Sequence, residues 1–206
     1  MRRPLSRARI LRAALDIVDR EGLDALTMRR VAAKLGVEAM SLYHHVPNKD
    51  AILEGVFDLV IAKADLPEGD DVTAADWIRG TADAFRRLAQ EHPRAFPLLT
   101  SRPVPLADAA AARPMEAGLA AFARLGLTEA EAYAAIQAVA VSLLSLGLMD
   151  SQLAVNGVPV AESRIADLPP AEFPRLHSIP ALDVDLAAVW DCLVDALVHG
   201  LTDRRR

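Results

Sequence analysis

Cysteine is almost absent from this chain of 206 residues, and its scarcity limits the kinds of protein it can be. Cys192 is the single cysteine, so no disulfide can form within the chain, and it lies in an apolar stretch that is typical of a helix. We therefore expect a reduced, cytoplasmic protein. The N-terminal stretch MRRPLSRARILRAAL is basic but has no continuous apolar core and no small-residue cleavage site, so we do not interpret it as a signal peptide.

The sequence also lacks the common patterns of catalytic and metal sites. It has no Gly-rich phosphate loop, no metal-spaced set of His and Cys, and no G-x-S-x-G. His44 and His45 form a pair in the sequence, but neighbouring residues of a helix point about 100° apart and cannot hold one metal ion. We therefore expect no catalytic residue, no metal and no cofactor. An acidic pair in a cleft with a strongly perturbed environment would reopen the enzyme hypothesis.

Strand-like alternation is missing as well, which predicts an all-α protein of about nine to ten helices. The longest stretch without a charged residue, from 132 to 149, spans 18 residues and reaches the lower length limit of a membrane helix. Alanine is its commonest residue, however, and it includes Gln137, Ser142 and Ser145. We therefore expect a helix buried by protein, and no membrane contact.

Charge is unevenly distributed along the chain. The net charge is −5, which taken alone argues against a nucleic-acid partner. Residues 1–50 nevertheless carry 10 Lys and Arg against 6 Asp and Glu, a balance of +4, whereas residues 51–206 carry 13 against 22, a balance of −9. A basic segment followed by an acidic one suggests that DNA binding, if present, belongs to the N-terminal part.

Residues 26–49, LTMRRVAAKLGVEAMSLYHHVPNK, have the pattern of a helix-turn-helix. Thr27 is suited to cap the first helix, and Gly36 is suited to end it because that position usually adopts a left-handed conformation. A second short helix is predicted from Glu38 to His45 and is stopped by Pro47. The apolar residues expected to face inward are Val31, Ala32, Leu35, Val37, Leu42 and Val46.

The ordered run T-M-R-R-V-A-A-K-L-G-V followed by S-L-Y-H-H-V-P-N-K resembles the DNA-binding domain of the tetracycline repressor (TetR) family. The resemblance is dense from Ile10 to about Phe57 and weaker over residues 92–206. It implies a three-helix DNA-binding domain with a helix-turn-helix in residues 1–50, with a connecting helix at about 48–65. Residues 66–206 would then form a helical bundle for effector binding and dimerisation.

The resemblance also implies which residues contact double-stranded DNA. Tyr43 and His45 match positions that contact the DNA backbone, Lys49 matches a lysine that holds a phosphate, and Arg29 matches an arginine that reads a base. Thr27 would cap its helix and touch phosphate. The groove-facing residues of the second helix are expected to be Ala39, Met40, Ser41, Tyr43, His44 and His45. Ala39-Met40-Ser41 and His44 depart from the tetracycline repressor, so we expect a different operator.

Two late helices, predicted at 129–152 and 183–202, are apolar on more than one face, and a proline-containing loop is predicted between them. One face can fill the core of the domain, and the other favours pairing with a second copy of the chain, as the family resemblance also implies. The alternative is that both faces are internal. The expected dimer contacts are Ala138, Leu146, Trp190, Val194, Leu197 and Val198.

The family resemblance further implies a small-molecule effector that binds in the helical body. Leu98 aligns with the magnesium-binding histidine of the tetracycline repressor, and leucine offers no oxygen or nitrogen ligand, so we expect an apolar or amphipathic effector and not magnesium-tetracycline. The candidate pocket residues are Phe57, Phe85, Phe96, Leu98, Met115, Phe122, Gln137, Ser142, Met149 and His177. Aromatic and methionine residues at helical spacing are more often ordinary core, the polar residues of the alanine-rich helix can bond the preceding helical turn, and His177 can be a surface residue. A regulator without a ligand, controlled by a protein partner, is the other possibility.

Overall fold

The structure is a computed structural model that describes residues 4–101, 109–157, 167–179 and 185–203, and within these ranges it contains helices but no β-strand. It confirms the all-α prediction. The ten α-helices of the described residues are α1 (Arg7–Glu21), α2 (Met28–Leu35), α3 (Ala39–Tyr43), α4 (Lys49–Ile61), α5 (Ala74–Glu91), α6 (Pro97–Thr100), α7 (Ala109–Ala123), α8 (Glu129–Asn156), α9 (Pro174–His177) and α10 (Leu186–Thr202). A short 3₁₀ turn, Leu23–Ala25, joins α1 to α2.

Helices α1, α2, α3 and α4 pack together, and we call these four helices the N-terminal unit. The apolar stripes of these helices meet in its centre, where Ile10, Val31 and Leu42 are fully buried. Helix α4 approaches α1 closely at Gly55, because a Cβ atom at that position would stand 2.4 Å from a methyl carbon of Leu11. The unit is therefore held by apolar burial, which stabilises such helices far more than their intrinsic propensity does.

The remaining long helices form the body, in which α5 packs against α7, α8 and α10. Trp77 of α5 meets Phe122 of α7 edge to face at a centroid distance of 6.2 Å, and its indole N–H donates to the carbonyl of Pro114 at 2.8 Å. The short helix α6 contacts both α4 and α8. Helix α6 therefore lies between the N-terminal unit and the body.

Several helix boundaries differ from the sequence-based prediction, including the start of α10 at Leu186 instead of residue 183. Helix α3 ends at Tyr43 instead of His45, because the amides of His45 and Val46 both bond the carbonyl of Leu42 in a tightened turn. Helix α4 ends at Ile61, before a series of turns, instead of near residue 65. Helix α8 continues to Asn156 instead of 152, and Gly157 with φ 76° closes it. Residues 158–166 and 180–184 of the predicted loop lie outside the described residues.

Helix α8 is the one helix of the described ranges that is long and apolar enough to cross a membrane, with a mean hydropathy of 1.8. Its inner face belongs to the protein core, where Ala132, Val139 and Leu143 are fully buried. Thr128 and Glu131 form the predicted capping box at its N-terminus. These contacts are those of a core helix in a bundle.

Candidate DNA-reading surface

The first helix of the helix-turn-helix is bounded as its sequence predicts. The Thr27 hydroxyl accepts a 3.1 Å bond from the Arg30 amide, which satisfies one of the free N–H groups of the first turn. Gly36 adopts the left-handed conformation at φ 66° and ψ 39°. The Gly36 amide bonds the carbonyl of Ala33 and the Val37 amide bonds that of Ala32, both at 3.1 Å. These two hydrogen bonds close α2 and set the direction in which the chain continues into α3.

Helix α3 is short, and two buried side chains hold it against the unit. Leu42 within the helix and Val46 just after it are 0% and 1% exposed. The opposite side projects into solvent, where Met40 is 70% exposed and Tyr43 is 46% exposed. The nine residues predicted to contact DNA are all at least partly accessible: Thr27, Arg29, Ala39, Met40, Ser41, Tyr43, His44, His45 and Lys49.

Charge pairing distinguishes the two adjacent arginines of α2. Arg30 donates to the carboxylate of Glu21 at 2.5 Å, and this hydrogen bond raises the pKa of the Arg30 guanidinium above its ordinary value. Arg29 is exposed and forms no ion pair within the described part of the chain. Its five donors are therefore available to a guanine edge, for which a guanidinium is well suited.

The other basic side chains near α3 also separate into those that form ion pairs and those that do not. Lys34 and Arg20 both pair with Asp16, and the hydrogen bond from Lys34, together with the nearby charge of Arg20, lowers the pKa of the Asp16 carboxyl. Lys49 is exposed and has no ion-pair partner in the described ranges. Lys49 is the first residue of α4. The N-terminus of this helix is capped by Asn48, whose side-chain oxygen accepts a hydrogen bond from the Ala51 amide at 2.8 Å. A lysine at a helix N-terminus is a favourable place for a phosphate group.

The effector candidates separate into two groups. Phe57, Phe85, Phe96, Leu98 and Phe122 are buried, and Met115 is half-buried, which places all six in or beside the core. Gln137 and Met149 instead lie on the exposed face of α8, where Gln137 donates to the hydroxyl of Tyr133 at 2.9 Å. This face points away from the core of the single chain, and the role of these two residues stays a prediction.

The side chains of the two remaining polar candidates form hydrogen bonds with backbone carbonyls that are close to them in the sequence. The Ser142 hydroxyl donates to the carbonyl of Ala138 at 2.8 Å, one turn earlier in α8, which is the second of the two interpretations left open by the sequence. His177 is exposed in α9 and donates from Nε2 to the carbonyl of Leu168 at 3.0 Å. Helical periodicity identified the polar residues of α8, but it could not tell which of its faces points inward.

Three of the predicted dimer contacts are buried within the single chain, and their role at an interface stays a prediction. Leu146, Trp190 and Val198 are each less than a tenth exposed and belong to the core of the single chain. The indole N–H of Trp190 donates to the carboxylate of Asp150 at 3.1 Å and so ties α10 to α8. Val194 and Leu197 are half-buried, and Ala138 is exposed. The apolar side chains that remain accessible on α8 and α10 are at other positions of these helices, and they include Val141 and Val189.

Asp19, Lys63 and His92 form a polar cluster at the boundary between the N-terminal unit and the body, and no sequence pattern indicated it. Asp19 and His92 are 73 residues apart in the chain, and His92 followed by proline indicated only the end of a helix. A histidine that stays buried needs a hydrogen-bond partner, but the sequence does not show which residue supplies it.

Comparison with known proteins agrees with this geometry. A family model described as "Bacterial regulatory proteins, tetR family" matches residues 10–56. The chain is 35% identical over 203 residues to an HTH-type transcriptional regulator of Saccharopolyspora erythraea, an alignment that covers 96% of this chain and 84% of that relative. It is also 35% identical over 184 residues to the HTH-type transcriptional repressor DrrR1 of Streptomyces coeruleorubidus, covering 87% of this chain but only 64% of that repressor.

Solved structures agree over nearly the whole chain. The TetR family protein ActR of Streptomyces coelicolor, in complex with (S)-DNPA, superimposes with a TM-score of 0.81 at 28% identity, covering 98% of this chain and 100% of ActR. The same protein in complex with actinorhodin gives a TM-score of 0.80 at 26% identity, covering 96% and 95% of the two chains. The similarity therefore includes the body as well as the helix-turn-helix.

Proposed function

Since this chain belongs to the TetR family of DNA-binding transcriptional regulators, we propose that it acts in the cytoplasm as a homodimeric repressor on a palindromic DNA operator. The observation that carries the proposal is the distribution of basic groups around α3. Arg29 and Lys49 are exposed without an ion pair in the described residues, whereas Arg30 and Lys34 are paired inside the unit. Free cations beside an exposed helix match what a DNA groove and its phosphates require.

In this proposal α3 enters the major groove. Met40 and Ala39 contact thymine methyl groups, Arg29 reads a guanine, and Tyr43 and Lys49 hold phosphates on either side. Thr27, Ser41, His44 and His45 complete the surface. We keep the division of the chain into a DNA-binding part, residues 1–50, and a regulatory part, residues 66–206, as part of the proposal.

The outer face of α8 supports the homodimer. Tyr133, Ala138, Val141 and Met149 follow one another along this exposed face, and Val141 is 65% exposed. No charged residue occurs between 132 and 149, so several turns of helix present an uncharged, largely apolar surface to solvent. Helix α10 packs beside α8 and adds Val189, Val194 and Leu197. A two-fold pairing of these helices would bury this surface and present two reading heads to the two halves of an operator.

We expect an apolar or amphipathic small molecule to release the repressor. ActR, whose fold matches along nearly the whole chain, has been solved with (S)-DNPA and with actinorhodin. In this chain Phe85, Phe96, Leu98, Met115 and Phe122 supply the apolar lining, and Phe57 adds a ring from α4 of the N-terminal unit. The mechanism would be a shift between two populations, in which the effector binds better to the state whose heads are wrongly spaced for DNA.

Control by a protein partner without a ligand is the second candidate. The full burial of Phe57, Phe96 and Phe122 favours this second candidate, because these rings and the side chains around them already occupy the interior. The two candidates share the DNA-binding surface and differ in what releases it.

The first test is DNA binding by the purified protein, with an operator obtained by selection from random double-stranded DNA. Lys49→Ala should weaken binding to that operator about uniformly across its sequence variants and reduce the slope of log K against log salt by about 1 for each reading head. Fluorescence anisotropy at several salt concentrations measures both quantities.

Lys34→Ala is the matched control, because it removes the same charge from a lysine that is already paired with Asp16. Its salt slope should stay close to that of the unaltered protein. If selection recovers no sequence above random DNA, the repressor proposal fails. If Lys34→Ala and Lys49→Ala change the slope equally, the assigned phosphate contact is wrong.

The second test concerns the dimer. Val141→Asp should raise the dissociation constant of the dimer at least about a hundredfold, because each copy would bring an unpaired carboxylate into an apolar contact. Sedimentation velocity over a range of concentrations measures the change. Met40→Asp places the same charge on an exposed apolar position of α3 and should leave the dimer intact. A Val141→Asp protein that remains dimeric would place the interface elsewhere.

A further inference from the structure

A polar cluster, separate from the residues proposed to read DNA, lies where the N-terminal unit meets the body. We call Asp19, Lys63 and His92 the junction cluster. Asp19 belongs to α1, Lys63 to the turn after α4, and His92 follows the last residue of α5. The Nδ1 atom of His92 is 3.0 and 2.9 Å from the two carboxylate oxygens of Asp19, and its Nε2 atom is 2.7 Å from Nζ of Lys63. The His92 side chain is only 9% exposed.

The chemistry of the three groups orients every hydrogen bond of the cluster. An ammonium group only donates, so Nε2 of His92 accepts from Lys63. The single N–H of the imidazole then lies on Nδ1 and donates to the carboxylate of Asp19. Donors and acceptors match throughout, from Lys63 through His92 to Asp19. Removing any member leaves a poorly hydrated polar group without its partner, so the cluster favours one relative placement of α1, α4 and α5.

The cluster is also joined to the interior of the body. The His92 carbonyl accepts the amides of Ala95 at 3.0 Å and Phe96 at 2.8 Å, so His92 and Phe96 belong to one turn. Phe96 is fully buried against α8 at Gly147, where a Cβ atom would stand 2.4 Å from the ring. There is no free space between this ring and α8. A displacement of α8 or α6 would therefore push on Phe96 and, through this turn, on His92.

We propose that the junction cluster sets the orientation of the DNA-reading unit on the body, with His92 as a positioning residue that acts through Asp19 and Lys63. The proposal rests on the proposed function, because the orientation matters through the spacing of two reading heads. With the cluster intact, the heads keep the spacing of the operator. When the turn of residues 92–96 moves, the bond from His92 to Asp19 breaks and the heads sample other spacings, so only a fraction of the protein remains competent to bind.

The test compares two aspartates on the same helix. Asp19→Ala removes the contact with His92, whereas Asp16→Ala, three residues earlier, removes the same charge from a carboxylate that pairs with Lys34 and Arg20 inside the N-terminal unit. We expect Asp19→Ala to bind the selected operator at least about tenfold more weakly than Asp16→Ala, within the range of usual coupling between sites. Both variants should bind random DNA equally, because each head keeps its own phosphate contacts.

A second readout does not depend on DNA. Spin labels at Arg12→Cys on α1 and Gln90→Cys on α5, two exposed positions, report the placement of the unit on the body in a Cys192→Ser background. Labelled chains are diluted with unlabelled ones, so that only distances within one chain are measured. The distance distribution should broaden in Asp19→Ala and in His92→Phe, and it should match the unaltered protein in Asp16→Ala.

Each outcome decides the positioning role. Equal operator affinities for the two aspartate variants together with unchanged distances would overturn it, and so would tighter operator binding by Asp19→Ala. If the unaltered protein selects no operator at all, the proposed function fails, while the distance distributions still decide whether the junction cluster orients the unit.

Discussion

Arg29→Ala should lower the affinity for the selected operator by at least about thirtyfold and should relax the preference for one base pair in each half-site. A guanidinium that grips guanine with two donors contributes about 1–3 kcal/mol of discrimination, and a homodimer would lose this contact twice. Arg29 is the exposed arginine of α2 that has no ion pair in the described part of the chain. Repeating the DNA selection with the variant, alongside anisotropy on the original operator, measures both effects.

Arg30→Ala provides the control from the adjacent position. Arg30 is engaged with Glu21 on the surface of the unit, and exposed ion pairs of this kind contribute little to stability because solvent screens them. We therefore expect a change of less than about threefold in operator affinity and an unchanged base preference. If Arg30→Ala relaxes the preference and Arg29→Ala does not, the roles of the two arginines are exchanged, and the ion pair with Glu21 must open on DNA.

Phe96→Ala should lower the free energy of unfolding by about 3–5 kcal/mol, because it removes a fully buried aromatic ring from the contact between α6 and α8. Chemical denaturation followed by the fluorescence of the two tryptophans measures the change. Phe173→Ala is the matched control, since Phe173 is 38% exposed next to α9 and its truncation should change stability by less than about 1 kcal/mol.

Gly147 of α8 lies so close to the Phe96 ring that a substitution at Gly147 tests the same contact. In the unaltered protein Gly147→Ala should destabilise by about 1–3 kcal/mol, because the new Cβ atom would collide with a ring that has no room to move. In the Phe96→Ala background the collision is gone, and the higher helix propensity of alanine should make the same substitution neutral or stabilising by up to about 1 kcal/mol. Additive effects in this cycle would show that the two residues do not share one contact.

The helix-turn-helix could be predicted almost completely because its determinants are local. The cap at Thr27, the left-handed turn at Gly36 and the inward position of Leu42 each depend on residues within about one helical turn. The same holds for the capping box at Thr128, which marks the start of α8. Where the prediction was wrong nearby, at the end of α3, the difference is two residues and reflects a tightened turn.

The sequence by itself therefore determined the class of fold, the position of the DNA-reading element and the set of residues exposed on it, since apolar periodicity and capping act over a few residues. Tertiary structure decided which of those residues are free to act. The pairing of Arg30 with Glu21, which leaves Arg29 available, depends on how α1 lies against α2. The outward face of α8 was settled by its packing on α5, because a helix that is apolar on two faces does not specify which one is buried. The contact of Asp19 with His92 joins residues 73 positions apart, and only the folded arrangement of α1 and α5 brings these two side chains together.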